Sequence, residues 1–130
     1  MLNIIPIKEG SNLPGLIMGG TGLAKPFAQD VYLTSFFVAG TQYTEDIEDH
    51  MARLEKDTQV KLVREPKNPY DSYAILVKDM EGNKLGYMPR NMNHMPARLM
   101  DAGKFLYGKV ISCSSEWDRV SIRIGMYMKD

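Results

Sequence analysis

The chain has a single cysteine, Cys113, and no run of apolar residues long enough to cross a bilayer. One cysteine excludes an intramolecular disulfide and argues against a cysteine-based zinc site. Apolar stretches such as SFFVA fall far short of the roughly 20 residues that a membrane helix needs, and the first ten residues lack a basic segment followed by an apolar one. We therefore expect a cytoplasmic protein with no membrane partner.

Net charge is also missing, because 16 basic and 16 acidic residues cancel. A neutral chain does not attract a polyanion through its overall field, so a nucleic-acid partner would have to be held by a local patch that touches few phosphates. His50 and His94 each lack a second ligand one helical turn away, and no nucleophile stands beside a base. We therefore expect no enzymatic activity, no catalytic residue, no metal and no cofactor.

Length and composition indicate one globular domain that follows an irregular arm. A chain of 130 residues with 44% hydrophobic and 25% charged residues is ordinary for a single core. Residues 1–29 are rich in glycine and proline and show no period, which predicts the arm. Its Lys25 is followed by Pro26, where a phosphate-binding loop requires serine or threonine. The predicted boundaries are 1–29 for the arm and 30–130 for the domain.

Six stretches of the domain have the composition or alternation of β-strands. They are VYLTSFFVAG, TQVKLVR, SYAILVKD, KLGYMP, FLYGKVISCSS and RVSIRIGMYM. In the third, Tyr73, Ile75 and Val77 are expected on one face. Strands and helices do not alternate in a βαβ rhythm, so we predict a mainly β fold, a small six-stranded antiparallel barrel that is closed or nearly closed.

Two short amphipathic helices complete the predicted elements. In TEDIEDHMARLEK, Thr44 is the expected N-cap, and Ile47, Met51 and Leu54 recur at helical spacing. In NMNHMPARLMDAG, proline is tolerated only in the first turn, so Asn93 is the expected N-cap, and Gly103 is the expected end.

The connection between the second and third strands, in the sequence REPKNPYDSYAI, is longer and stiffer than a turn requires. Pro66 and Pro69 fix φ, and Asn68 can form an Asx-turn, so Tyr70 and Asp71 are presented in fixed directions. A preordered loop avoids a cost of about 0.5–1.5 kcal/mol for each side chain that binding would immobilise. The loop is therefore predicted to be a binding element.

Several of these residues have structural alternatives. Asp71 could cap the turn through its own backbone, which does not exclude ligand binding, and Tyr70 could pack on the barrel wall. Arg64 and Glu65 are expected to form a local ion pair. Trp117, in the EWD tip of the last hairpin, is expected to cover the open end of the barrel in preference to serving as a stacking surface.

The segments REPKNPYDSYAILV and GNKLGYMPR, followed by a helix and AGKFLYGKV, resemble the HIRAN domain family. The resemblance runs from about Val31 to Cys113, with both motifs in the expected order. It implies an OB-like barrel that captures the 3′ end of single-stranded DNA without chemistry of its own, as in fork-remodelling Swi/Snf-type translocases. It also implies a place in DNA repair or replication-fork processing, with a larger DNA-processing enzyme as a partner.

The resemblance assigns roles to individual residues. Tyr70 would stack on a base, Asp71 would accept a hydrogen bond from the terminal 3′-hydroxyl, Arg90 would hold a phosphate, and Tyr87 would lie beside the end nucleotide. A carboxylate repels phosphates, so Asp71 would reject a 3′-phosphate. The full expected DNA-binding set is Gln42, Tyr43, Asn68, Tyr70, Asp71, Tyr87 and Arg90.

The alternative is a protein-interaction or self-assembly domain that uses the same barrel and has lost DNA binding. The absence of net charge favours it. So does the segment after the first strand, where the translocases tend to carry a basic residue and two aromatics and this chain has Gln42, Tyr43 and Thr44. The apolar residues 16–18 of the arm would then mediate a homo-oligomer.

Overall fold

The computed structural model describes residues 29–130, and residues 31–129 form one compact unit. Its strands are β1 (Val31–Phe37), β2 (Gln59–Arg64), β3 (Ile75–Lys78), β4 (Lys84–Tyr87), β5 (Leu106–Glu116) and β6 (Arg119–Met128). Its helices are α1 (Ile47–Ala52) and α2 (His94–Asp101), with one 3-10 turn at Thr41–Tyr43. The arm predicted for residues 1–29 lies, apart from its last residue, outside the described part of the chain.

The six strands form one antiparallel sheet in the order β1-β6-β5-β2-β3-β4. Just beyond β1, Ala39 exchanges two backbone hydrogen bonds of 2.7 and 2.9 Å with Tyr87 at the end of β4. The two outer strands thus meet, and the sheet curls into a nearly closed barrel. Gly86 permits this approach, because a Cβ there would lie 2.4 Å from the Ala39 oxygen. The predicted mainly β, six-stranded antiparallel fold is confirmed.

The core lies inside the curl and follows the alternation of the strands. Val60, Ile75, Val77 and Ile124 are fully buried, as their inward positions require. Tyr73 precedes β3 and does not belong to it. Its ring is partly buried against the core, and it stacks on His94 of α2 with ring centroids 3.9 Å apart.

The first helix begins later than its sequence pattern predicts, at Ile47, and the prediction of Thr44 as its N-cap is wrong. Asp46 occupies the cap position in a left-handed conformation without a side-chain cap bond. The Thr44 hydroxyl instead donates to the carbonyl of Leu85, 3.1 Å away, and ties this segment to β4. The apolar side of the helix is as predicted, since Ile47, Met51 and Leu54 pack against the core.

The second helix follows Asn93 as predicted and ends before Gly103, whose φ of 96° no L-residue adopts easily. Asn93 is buried, but its side chain does not cap the helix. It donates to Asp71, which lies 22 residues earlier in the chain. No helix among residues 29–130 combines the length and the apolar character that a membrane crossing requires.

Two further expectations are wrong. Arg64 does not pair with Glu65, because its guanidinium makes a two-pronged contact of 2.9 and 3.0 Å with Asp101 at the end of α2. Trp117 does not cover the barrel, since it is 98% exposed. β5 and β6 stay paired as far as Glu116 and Arg119, so the hairpin tip reaches beyond the core.

Candidate nucleic-acid interface

The loop between β2 and β3 is held by Asn68. Its Oδ1 accepts hydrogen bonds from the backbone N–H groups of Tyr70 and Asp71, at 2.8 and 3.2 Å, which confirms the predicted Asx-turn. Its Nδ2 donates to Oε1 of Glu65, 3.0 Å away. Glu65 in turn bonds through its N–H to the carbonyl of Ala74, so the two ends of the loop are joined. The loop is therefore ordered before any ligand arrives.

Asp71 is held by its neighbours and still carries acceptor capacity. Its Oδ1 accepts from the N–H of Tyr73 at 2.9 Å, and its Oδ2 accepts from Nδ2 of Asn93 at 2.8 Å. Nε of Arg90 lies 3.6 Å from the same Oδ2. Each carboxylate oxygen has two lone pairs, so both oxygens retain a free acceptor position with respect to these hydrogen bonds. Turn capping by Asp71 is thus confirmed and leaves ligand binding open.

Asp71 is also ionised at neutral pH. Burial of the carboxyl opposes ionisation, but the hydrogen bonds from Tyr73 and Asn93, together with the charge of Arg90, outweigh it and lower the pKa of Asp71 below its ordinary value. Its side chain is 17% exposed. The site therefore offers a fixed, solvent-accessible anion that only accepts hydrogen bonds.

Arg90 joins the second motif to the loop. Its guanidinium donates to the backbone carbonyl of Tyr70 and lies beside Asp71. The side chain is 72% exposed, and a guanidinium has five N–H donors, more than these two contacts use. Arg90 is thereby positioned with donors to spare for a phosphate or another acceptor.

Two tyrosines flank this charged pair. Tyr70 is 84% exposed, so the alternative in which its ring packs on the barrel wall is wrong. Tyr87 is half-buried, and its hydroxyl donates to Oε1 of Glu65 at 2.8 Å. Burial, and then the hydrogen bond and charge of Glu65, raise the pKa of Tyr87. One ring is free for contact with a ligand, and the other is fixed in orientation.

Five of the seven predicted residues line one pocket of about 250 Å³, which we call the loop pocket. They are Asn68, Tyr70, Asp71, Tyr87 and Arg90. The remaining walls are small or apolar residues, namely Ala39, Gly40, Ala74 and Met88. The pocket thus combines an exposed ring, an anion and a cation around an apolar surface.

The other two predicted residues, Gln42 and Tyr43, stand apart from it. Gln42 lines a different depression with Glu48 and Asp118. Tyr43 is exposed and reaches the vicinity of the loop pocket through Gly40, where a Cβ would lie 4.0 Å from Cδ2 of the Tyr43 ring. The structure therefore places Tyr43 near the rim and Gln42 elsewhere.

The sequence patterns did not indicate two of the residues that support the site, Glu65 and Asn93. Glu65, which was expected to pair with Arg64, holds both Asn68 and Tyr87. Asn93, which was expected only to cap a helix, holds Asp71. The position of Asn93 at the start of α2 marked it as a residue whose side chain forms a hydrogen bond. The partner could not be read from the sequence, because Asp71 lies 22 residues away.

A family model matches most of the described part of the chain. The HIRAN domain family model matches residues 31–129. The helicase-like transcription factor of Oryctolagus cuniculus is 40% identical over 48 residues, which are 37% of this chain and 5% of that protein. The chain thus spans only a small fraction of this curated relative.

Solved structures show the same fold. The crystal structure of a protein from Lactobacillus plantarum is 33% identical, with 77% of this chain and 95% of that chain covered and a TM-score of 0.72. The crystal structure of the HIRAN domain of human HLTF is 24% identical, with 78% and 81% covered and a TM-score of 0.57. A structure of the HLTF domain in its DNA-bound conformation is 23% identical, with 78% and 80% covered and a TM-score of 0.50. This chain belongs to the HIRAN domain family.

Proposed function

We propose that this domain is a non-catalytic module that binds the 3′-terminal nucleotides of single-stranded DNA in the loop pocket. Membership of a family in which the HLTF domain has a DNA-bound conformation supports DNA as the ligand. The observation that carries the proposal is the exposed ring of Tyr70 next to the ionised carboxylate of Asp71, with Arg90 in contact with both residues.

Tyr70 supplies the sequence-independent part of the binding. Stacking of a base on an aromatic side chain contributes about 1–3 kcal/mol and accepts any base, since every base has a π-face. The backbone of Tyr70 is held on both sides, by Asn68 through its N–H and by Arg90 through its carbonyl. The ring therefore needs little ordering when a base arrives.

Asp71 supplies the preference for an end. Along a DNA strand the internal sugars and phosphates of the backbone offer no hydroxyl donor, so a hydroxyl donor such as the 3′-hydroxyl appears only at a terminus. A hydrogen bond to a charged acceptor contributes about 1.5–3 kcal/mol. A 3′-phosphate would bring negative charge against the carboxylate, so the same residue discriminates against it.

Arg90 supplies the contact with the backbone. Because its guanidinium is exposed and only partly engaged, it can donate to the phosphate that precedes the terminal nucleoside. This contact is expected to strengthen all strands alike, since every strand carries that phosphate.

The experiment compares fluorescence anisotropy of labelled single strands that end in a 3′-hydroxyl, a 3′-phosphate or a closed hairpin. The wild type should bind the 3′-hydroxyl strand at least about tenfold more tightly than the others, which corresponds to 1.4 kcal/mol. Asp71→Asn, which retains an acceptor for the Tyr73 N–H, should erase the difference between hydroxyl and phosphate. Arg90→Gln should weaken all strands by a similar factor.

Asp118→Asn is the matched control, because it makes the same change in an exposed residue of the β5–β6 tip. It should leave all three affinities unchanged. Equal binding of the three strand types by the wild type would refute end recognition. Failure of every strand to bind, with a dimer in light scattering, would favour the interaction-domain alternative.

We also propose that the domain acts in DNA repair or replication-fork processing and works with a larger DNA-processing enzyme. The support is its similarity to a segment that makes up 5% of a helicase-like transcription factor. Affinity capture with the wild type and with Asp71→Asn would test this, because a partner held through a DNA 3′ end should be retained less by the variant than by the wild type.

A further inference from the structure

Three lysines stand side by side across three strands of the sheet. In the strand register, Lys61 of β2 is opposite Lys78 of β3, and Lys78 is opposite Lys84 of β4. Directly opposed residues of antiparallel strands share a face, and neighbouring strands are about 4.8 Å apart. The adjacent residues Val60 and Val77 are fully buried, so the three lysines lie on the outer face. We call them the lysine row.

One end of the lysine row reaches the candidate site. Nζ of Lys84 lies 4.9 Å from the centroid of the Tyr87 ring. Lys84 also lines a second depression of about 690 Å³, which contains Lys67 and Glu65 and shares Asn68, Tyr70 and Tyr87 with the loop pocket. The Glu65 carboxylate is engaged by Asn68 and Tyr87, so the two lysines supply the free charge where this depression leads onto the sheet.

The other end of the row meets aromatic residues. Lys61 is opposite Tyr107 of β5, and Tyr107 is opposite Tyr127 of β6. The two rings stack with centroids 5.6 Å apart. The lysine row thus covers β2, β3 and β4, and on β5 a further lysine, Lys109, has its Nζ 5.1 Å from the centroid of the Tyr127 ring.

This arrangement opposes stability in the free domain. Like charges directly opposite each other on neighbouring strands destabilise a sheet. Within residues 29–130, no acidic side chain forms an ion pair with Lys61, Lys78 or Lys84. Three cations in register, without an ion-pair partner in the described part of the chain, are therefore the kind of surface that an extended anion would stabilise.

We propose that the single strand leaves the loop pocket past Tyr87 and crosses the sheet along the lysine row, where Lys84, Lys78 and Lys61 contact successive backbone phosphates. This inference rests on the proposed function and adds the path of the DNA upstream of its 3′ end. The lysine ammonium attracts phosphates as a point charge and does not distinguish bases. Binding along this path should therefore be independent of sequence and should weaken as the salt concentration rises. It also explains how a chain without net charge would hold more than the terminal nucleotides.

The test measures, by fluorescence anisotropy, the affinity for two oligothymidylates with a 3′-hydroxyl. One has about 3 nucleotides, and the other has about 12, which lies within the range of site sizes of OB folds. The wild type should bind the long strand at least about tenfold more tightly, or 1.4 kcal/mol. Lys61→Gln combined with Lys78→Gln should lose most of this gain and keep the affinity for the short strand. For the long strand, the slope of log K against log salt concentration should fall in magnitude by about 1.4, because each of the two lost phosphate contacts accounts for about 0.7.

The control combines Lys56→Gln and Arg119→Gln, which remove the same two charges at exposed positions outside the row. It should retain the length dependence and the salt slope. The lysine-row double variant should unfold at the same or a higher urea concentration than the wild type, because the change relieves repulsion. A loss of binding could then not be attributed to unfolding.

Equal affinity of the wild type for long and short strands would overturn the path while leaving end recognition intact. The same loss in the control double variant would overturn it as well, since the effect would then be one of net charge. Failure of the short strand to bind the wild type would refute the proposed function and the path with it.

Discussion

The molecule has two exposed aromatic tips that differ in how they are supported. Tyr70, in the β2–β3 loop, is 84% exposed, and Trp117, in the β5–β6 turn, is 98% exposed. The backbone of Tyr70 is held by Asn68 and Arg90. Trp117 sits in a two-residue turn with a φ of 59°, in the left-handed region.

The difference lies in the charged groups around the two rings. Tyr70 stands at a pocket that also contains an ionised carboxylate and a guanidinium. Trp117 lies between Glu116 and Asp118, two acidic residues that oppose the approach of a phosphate chain. A ring becomes a candidate for recognition when fixed charges of suitable sign surround it.

The largest expected effect comes from the closure that supports the loop pocket. Gly86→Ala would drive a Cβ against the Ala39 oxygen, so we expect the free energy of unfolding to fall by about 3 kcal/mol. Gly82→Ala is the control, since it meets no atom within 4 Å and adds only the strain of its φ of 94°, about 1 kcal/mol. Urea unfolding would measure both. Equal losses would mean that the β1–β4 contact does not hold the barrel together.

The second test compares the two rings directly. Tyr70→Ala should weaken binding of the 3′-hydroxyl strand by about 1–3 kcal/mol, because a stacked base loses its platform. Trp117→Ala should change it by less than about twofold, since Glu116 and Asp118 flank that ring and oppose a phosphate chain. Anisotropy titrations would measure both. A larger effect of Trp117→Ala would reverse the comparison and place the DNA on the β5–β6 tip.

The third test removes the support of one tip and leaves its ring. Asn68→Ala deprives two backbone N–H groups of their acceptor and Glu65 of a donor, so we expect a loss of about 1–2 kcal/mol in the free energy of unfolding. Asp118→Ala, at the other tip, should cost less than about 0.5 kcal/mol. Chemical denaturation of both variants is the measurement. A negligible effect of Asn68→Ala would mean that the prolines alone order the loop.

The smallest effect is a dependence on pH. The pKa of Asp71 is lower in the folded than in the unfolded chain, where it is near 3.8, so its contribution to stability is present above that value and is lost as the pH falls through the folded pKa. The stability difference between wild type and Asp71→Asn should be constant from about pH 7 to 5 and shrink below about pH 4. A stability difference between wild type and Asp71→Asn that stays the same size down to pH 2 would contradict an ionic role of Asp71. Denaturation at each pH would measure it.

The strands, the helices and the Asx-turn could be predicted because their causes are local. Alternating apolar residues select the strands, and Pro66, Asn68 and Pro69 act within a few residues of one another. The wrong predictions involved choices of partner. Arg64 pairs with Asp101, which lies 37 residues away, and not with its neighbour Glu65. The hydroxyl of Thr44 donates to the carbonyl of Leu85 and does not cap a helix.

By itself, the sequence determined which segments become strands and that one loop is stiff and polar, because backbone preferences and side-chain alternation act over short distances. The tertiary structure alone decided which charges meet. The contacts of Asp71 with Asn93 and Arg90 depend on how the sheet curls and on where α2 lies. The alignment of Lys61, Lys78 and Lys84 depends on a strand register that no single segment encodes.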